Sequence, residues 1–128
     1  MRLLLDTHAF LWFLANDRSL SATALQAIAN PPNDVFVSTA SAWEIAIKAS
    51  SGKLTLVRPF ASIFPQQLAQ NNLDLLPIET DHLAGLFSLP SIHRDPFDRL
   101  LVAQAIVEGM TLVTADAHLA GYPVPILW

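Results

Sequence analysis

Asp95-Pro96-Phe97-Asp98-Arg99-Leu100-Leu101-Val102-Ala103-Gln104-Ala105-Ile106-Val107-Glu108-Gly109-Met110-Thr111-Leu112-Val113-Thr114 is the stretch that decides the fold. Aspartate favours the N-cap of a helix and proline the first helical position, so a helix starts at Pro96. It runs to Glu108, where Gly109 supplies the stop. Thr111 to Thr114 is then apolar and β-branched, the composition of a short strand. A helix delivering the chain straight into a buried strand is half of a βαβ unit.

The rest of the chain repeats this alternation. Leu3 to Leu5 predicts a first strand, and Thr7 to Ala15 an apolar helix. Ala22 to Asn30 predicts a second helix, with Ser21 as N-cap and Pro31-Pro32 as stop. Val35 to Val37 is a strand, and Ala42 to Ala49 a helix stopped by Ser50-Ser51-Gly52. Ile63 to Gln70 predicts a helix terminated by Asn71-Asn72, Leu75 to Ile78 a strand and Asp81 to Leu86 a helix. Val124 to Leu127 is a last strand, marked as an edge by Pro123 and Pro125. Strands alternating with helices argue for an α/β fold, a parallel sheet with helices on both faces.

The bulk numbers agree. At 128 residues, the chain has the size of one domain spanning 1–128. Hydrophobic residues make up 52% of it and mean hydropathy is +0.41. Yet no apolar run approaches the roughly 20 residues that span a bilayer. The amino terminus is a poor signal peptide, because Asp6 interrupts its apolar run. A sheet buried on both faces, plus an oligomer surface, accounts for the excess. With no cysteine, disulfides and thiolate metal sites are excluded, and a reducing cytoplasm is the natural compartment. A net charge of −4 excludes a protein that grips nucleic acid by overall charge alone.

Four acids stand out by position. Asp6 closes the first strand, Glu44 follows the Val35–Val37 strand, Asp98 opens the apolar stretch from Leu100, and Asp116 follows the Thr111–Thr114 strand. The carboxyl ends of parallel strands and the amino ends of the following helices share one edge, where ligands bind. Each acid also has a purely structural reading. Asp95 fits an N-cap, which leaves Asp98 at the third helical position, where it favours the dipole. Ser41-Ala42-Trp43-Glu44 matches a capping box. Asp116 suits a turn. Asp6 is harder to dismiss, because a charge at the end of a buried strand is costly unless paired or liganded.

As a set the acids favour a cation. Two carboxylates about 4 Å apart repel by roughly 4 kcal/mol at an effective dielectric of about 20. All-oxygen sites suit hard cations such as magnesium or manganese, and an ion held by a few carboxylates keeps waters that can serve as nucleophile.

The segments Leu3-Leu4-Leu5-Asp6-Thr7-His8, Ser38-Thr39-Ala40-Ser41-Ala42-Trp43-Glu44-Ile45, His93 to Ala105 and Thr111 to Asp116, in this order, resemble the PIN-domain nucleases. More closely they resemble the VapC toxins of bacterial type II toxin–antitoxin pairs. Lys48-Ala49-Ser50-Ser51-Gly52-Lys53-Leu54 is also typical of one VapC-like subgroup. The resemblance covers essentially the whole chain. It implies a PIN-like three-layer α/β/α sandwich around a mainly parallel sheet of about five strands. It also implies Mg2+- or Mn2+-dependent cleavage of RNA leaving a 5′-phosphate and a 3′-hydroxyl, a VapB-like antitoxin and a homodimer. The family's acidic site maps onto Asp6, Glu44, Asp98 and Asp116, of which Asp6, Asp98 and Asp116 would hold metal while Glu44 either completes the shell or orients the attacking water. Its helper hydroxyls map onto Thr7, Thr114 and Ser38.

Other residues carry weaker expectations. Arg94, Arg99 and Lys48 could contact RNA, against the simpler reading of surface pairs and solvated helix-end charges. The four histidines form no tight ligand pair, which argues against zinc; His93 or His118 could act near the site, against the simpler reading of surface histidines. Trp12 and Trp43 are expected as core or interface anchors. Phe60, Ile63, Phe64 and Leu68 make an apolar helix face, suited to core, antitoxin or a second subunit. Two rival functions remain: a phosphatase with Asp6 as nucleophile, whose second aspartate would fall where His8 stands, and a binding module of weak activity.

Overall fold

The computed structural model describes residues 1–128. Five strands form one sheet in the order β3-β2-β1-β4-β5, and every neighbouring pair is parallel. They are β1 (Arg2–Leu5), β2 (Asp34–Ser38), β3 (Leu73–Leu76), β4 (Thr111–Val113) and β5 (Ile126–Leu127). The chain moves outward from β1 to β3, then returns and adds β4 on the other side of β1. That reversal is a topological switch point, and the crevice outside the strands' carboxyl ends opens there.

The all-leucine β1 explains the layering. Leu3, Leu4 and Leu5 are all fully buried. Leu3 and Leu5 enter one apolar cluster with Phe10, Ile28, Val37 and Ile63, while Leu4 enters the other with Leu101, Met110 and Leu119. Alternate side chains of a strand point to opposite faces, so a central strand covered on both sides has no polar face to spare. Burying each leucine contributes about 1.5–3 kcal/mol.

Helices cover both faces: α1 (Thr7–Leu14), α2 (Ala22–Ala29) and α3 (Thr39–Ser50) before β3, then α6 (Thr80–Phe87) and α7 (Pro96–Glu108). The α7 boundaries match the sequence expectation. Asp95 caps it by accepting from Phe97 N and Asp98 N at 2.8 and 3.1 Å, and Gly109 ends it at φ 66°.

Three expectations need correction. First, α3 starts at Thr39 rather than Ala42, because Ser38 is the cap and accepts from Ala40 N at 3.0 Å. Ser41 and Glu44 therefore lie inside the helix, and no capping box joins them. Second, the single helix expected over 63–70 is broken by a kink within Ile63–Gln67, which separates α4 (Phe60–Ser62) from α5 (Leu68–Gln70). Phe64 is extended there (φ −115°, ψ 111°), as residues before proline tend to be. Ile63 and Leu68 are core, and Phe64 packs between Phe10 and Phe60. Third, β3 occupies Leu73–Leu76, two residues earlier than expected, since Asn72 ends the preceding turn at φ 56° and Pro77 has no N–H to continue the ladder. β5 is shorter than expected but lies at the sheet edge, as its prolines required. No helix is long and apolar enough to cross a membrane.

Candidate functional site

Asp6 leaves β1 and becomes the N-cap of α1, its Oδ1 accepting from Ala9 N at 2.8 Å. Its Oδ2 accepts from the Thr114 hydroxyl at 2.6 Å, at the end of the neighbouring strand β4. The residue is 6% exposed, and burial, opposed by those hydrogen bonds, raises the carboxyl pKa above the usual aspartate value.

Glu44 reaches the same edge from the second turn of α3. Thr7 Oγ1 donates to its Oε1 at 2.6 Å, and Lys48 Nζ, one turn on, sits 2.6 Å from its Oε2. Lys48 is therefore not a free helix-end charge. Its hydrogen bond to Glu44 raises its own pKa. Thr7 Oγ1 also lies 3.0 Å from Ser41 Oγ, so both hydroxyls are buried beside the acids. Ser38 is turned away to Gln104 Oε1 at 2.5 Å, and its role is to cap α3 and tie it to α7.

Asp98 differs from the other acids. No donor lies within hydrogen-bond distance of its carboxyl oxygens; His93 Nε2 lies 3.8 Å from Oδ2. Partial burial, then the negative charges of Asp95, Asp6 and Glu44, push its pKa up to about 7. Asp116 is the opposite case. Its Oδ1 accepts from His118 N at 2.9 Å and meets His118 Nδ1 at 3.1 Å, and its Oδ2 meets His93 Nε2 at 3.0 Å. Partial burial works against ionisation, but these bonds outweigh it and hold the carboxyl below the usual range.

The acids thus meet at one edge, but the tightest group is not the expected trio. Ligand atoms of His93, Asp98 and Asp116 all lie within 4.8 Å of one another. Asp6 sits deeper, close enough for its charge to act on Asp98 and for Asp116 to act on it. His93 corrects the expectation of a surface histidine: its side chain is only 20% exposed and lies between two acids. His118 is exposed as expected. Asp116 with its Thr114 neighbour was legible in the sequence; His93 or His118 could be placed near the site, but only the structure chooses His93.

Arg94 is exposed and makes no ion pair, whereas Arg99 turns its guanidinium toward the Leu89 carbonyl at 3.5 Å and not toward the acids. Trp43 is not core: it is 58% exposed and packs edge-on against Phe97, 5.0 Å between centroids. Trp12 packs against Trp128. The largest concavity, about 760 Å3, lies at the amino edge of the sheet around Asn30, Asn33 and Asn72, with only Asp34 and Asp74 charged. Size therefore does not mark the site; charge does.

The residues present fit a divalent cation. Asp98 offers unpaired oxygens, Asp116 an ionised carboxylate and Asp6 a buried one, and mutual repulsion between them is relieved by a positive ion. The donors are mainly oxygen, which suits magnesium or manganese.

Residues 3–124 match the PIN domain family. The chain belongs to the PIN-domain family. Over 123 residues this PIN domain is 36% identical to Ribonuclease VapC22 of Mycobacterium tuberculosis, covering 95% of this chain and 92% of that protein. In three dimensions it is similar to a chain in the structure of VapBC2 from Rickettsia felis bound to a DNA fragment from their promoter. The TM-score there is 0.73 and the identity 16%, over 98% of this chain and 97% of the other. A chain of a toxin–antitoxin complex from Klebsiella pneumoniae matches with TM-score 0.65 and 19% identity, over 94% and 92% of the two chains. At these identities the structural matches establish the PIN fold alone, and they agree with the five-stranded parallel sheet described above.

Proposed function

We propose that this PIN domain is a metal-dependent endoribonuclease and the toxin of a type II toxin–antitoxin pair. The observation that carries the chemistry is Asp98: a partly buried carboxylate with no hydrogen-bond donor, facing three other acids at the switch point of a parallel sheet. The 36% identity to a protein named as a ribonuclease supports RNA as the substrate.

In this reading Asp6, Asp98 and Asp116 hold Mg2+ or Mn2+. A bound ion of this kind lowers the pKa of water, polarises the phosphate and neutralises developing charge. The chain's own residues do the rest. Thr114 and the α1 amino end hold Asp6 in place, and the two histidines hold Asp116. Glu44 has both oxygens engaged, by Thr7 and Lys48. An ionised carboxylate has about four acceptor positions, so Glu44 still has lone pairs with which to orient the attacking water. Lys48 balances the Glu44 charge rather than reaching for RNA, and Arg94 is the free guanidinium for backbone phosphate. In-line attack would leave a 5′-phosphate and a 3′-hydroxyl.

The partner in this reading is a VapB-like antitoxin, a proposal supported by the toxin–antitoxin complexes among the structural matches. A homodimer belongs to the same proposal, and exposed Trp43 and Ile47 on α3 offer apolar surface for it. The compartment is the cytoplasm, which a cysteine-free chain suits. Incubation of the purified, antitoxin-free protein with total RNA tests the reading, with Mg2+, Mn2+ or chelator added and cut ends mapped. Metal-dependent cuts with 5′-phosphate ends support it, whereas equal cutting in chelator or no cutting with either metal refutes it.

A further inference from the structure

His93 is held on three sides. Its backbone N–H donates to the Tyr122 hydroxyl at 2.8 Å. Its ring Nδ1 accepts from Asp95 N at 3.0 Å, at the residue that caps α7. Its Nε2 lies 3.0 Å from Asp116 Oδ2. A neutral imidazole has one N–H and one lone pair. The Asp95 N–H takes the lone pair of Nδ1, which leaves the ring proton on Nε2. The other end agrees: an ionised carboxylate only accepts, so Nε2 must donate to Asp116.

The proximity of His93, Asp98 and Asp116 invites the reading of His93 as a metal ligand. The hydrogen bonds oppose it. Coordination through Nε2 needs the lone pair there and the proton on Nδ1, where it would face the Asp95 N–H, donor against donor. Asp116, by contrast, has three donors on its two oxygens and keeps a free acceptor position for an ion.

We propose that His93 is a positioning residue that aims the Asp116 carboxylate at the cation through an Nε2–H hydrogen bond, and is not itself a ligand. The proposal rests on the metal-dependent reading above. It gives the histidine of His93-Arg94-Asp95 a defined role, coupling the α7 cap and the Tyr122 hydroxyl to an acid that follows β4. Partners of this kind orient a ligating carboxylate, and their loss typically weakens metal affinity about 10- to 100-fold.

Isothermal titration of the metal-free protein with Mn2+ tests this, with His93→Ala and His93→Gln as variants and thermal melts as the check on folding. His93→Ala is expected to bind about 10- to 100-fold more weakly. His93→Gln, whose amide N–H can reach the same oxygen, is expected to recover most of the loss. Long-range 1H–15N NMR of the ring is expected to show the Nε2–H tautomer before and after Mg2+ addition. Wild-type affinity in a folded His93→Ala variant, no recovery in a folded Gln variant, or a switch to Nδ1–H on adding Mg2+ would each overturn the proposal. If the alanine variant does not fold, the Gln variant and the NMR tautomer decide. If the wild type binds no metal, the reading of the site as metal-dependent fails, while a metal-free Nε2–H tautomer still reports the hold on Asp116.

Discussion

The Thr114 hydroxyl donates to Asp6 Oδ2 at 2.6 Å and joins residues 108 positions apart. It also accepts from Asp116 N at 3.0 Å, so one hydroxyl links two of the four acids. Thr114→Val keeps the shape and removes both bonds. Leaving a buried acceptor without its donor costs about 1–3 kcal/mol. Chemical denaturation of the metal-free protein is expected to show that loss, and wild-type stability would deny the hydroxyl its role.

Asp6→Asn separates function from folding. Burial penalises the ionised form of Asp6, which is why its pKa is raised. Removing the charge should leave the metal-free melting temperature unchanged or higher, while RNA cleavage is abolished. Full nuclease activity in this variant would remove Asp6 from the site.

Lys48→Met leaves Glu44 buried beside other acids with no cation. Breaking fully buried pairs costs about 3–5 kcal/mol, but Lys48 is 41% exposed, so about 1–2 kcal/mol is expected. Adding Glu44→Gln should restore most of that stability without restoring activity. A double-mutant cycle in urea measures the coupling.

The Asp98 carboxyl sets a pH dependence. Its pKa rises from 3.8 to about 7 on folding, so the native state binds the extra proton between these values. Stability then changes with pH in proportion to protons bound unfolded minus native, which is negative here. The metal-free protein is therefore expected to lose stability from this group as pH rises from 3.8 to about 7, and to lose no more above it. Metal binding reverses the preference by displacing the proton. Mn2+ affinity should fall as pH drops below about 7, with proton release visible in titrations in buffers of different ionisation enthalpy. A flat affinity between pH of about 6 and 8 would contradict this.

Asp95 and Asp98 are three residues apart but have different roles. Asparagine caps helices about as well as aspartate, so Asp95→Asn should retain the helix and most cleavage. It also removes one of the charges that raise the Asp98 pKa, which should fall. Asp98→Asn should abolish cleavage. Equal losses from the two would mean that the capping assignment misses a direct role for Asp95.

The α7 boundaries were legible because Asp95, Pro96 and Gly109 act on their own backbone. The start of α3 was not. Ser38 and Ser41 are both good caps, and the choice depends on where β2 ends, which its pairing with β1 and β3 determines. The break at Phe64 has a local signal in Pro65, but the apolar spacing of Phe60, Ile63, Phe64 and Leu68 favours an unbroken helix and masks it. His93 could not be chosen over His118 from the sequence, since of its partners only Asp95 is local, while Tyr122 and Asp116 are 29 and 23 residues away.

By itself the sequence determined the alternation of helix and strand, the burial of β1 and the four acids beside apolar runs, because periodicity, capping and hydrophobic runs are properties of neighbouring residues. The tertiary structure decided which groups answer those acids: Thr114 for Asp6, Lys48 and Thr7 for Glu44, the histidines for Asp116 and none for Asp98. Most of those contacts depend on strand order and on burial. The same carboxyl group is held ionised or driven toward protonation by donors and charges that only the assembled sheet edge brings within reach.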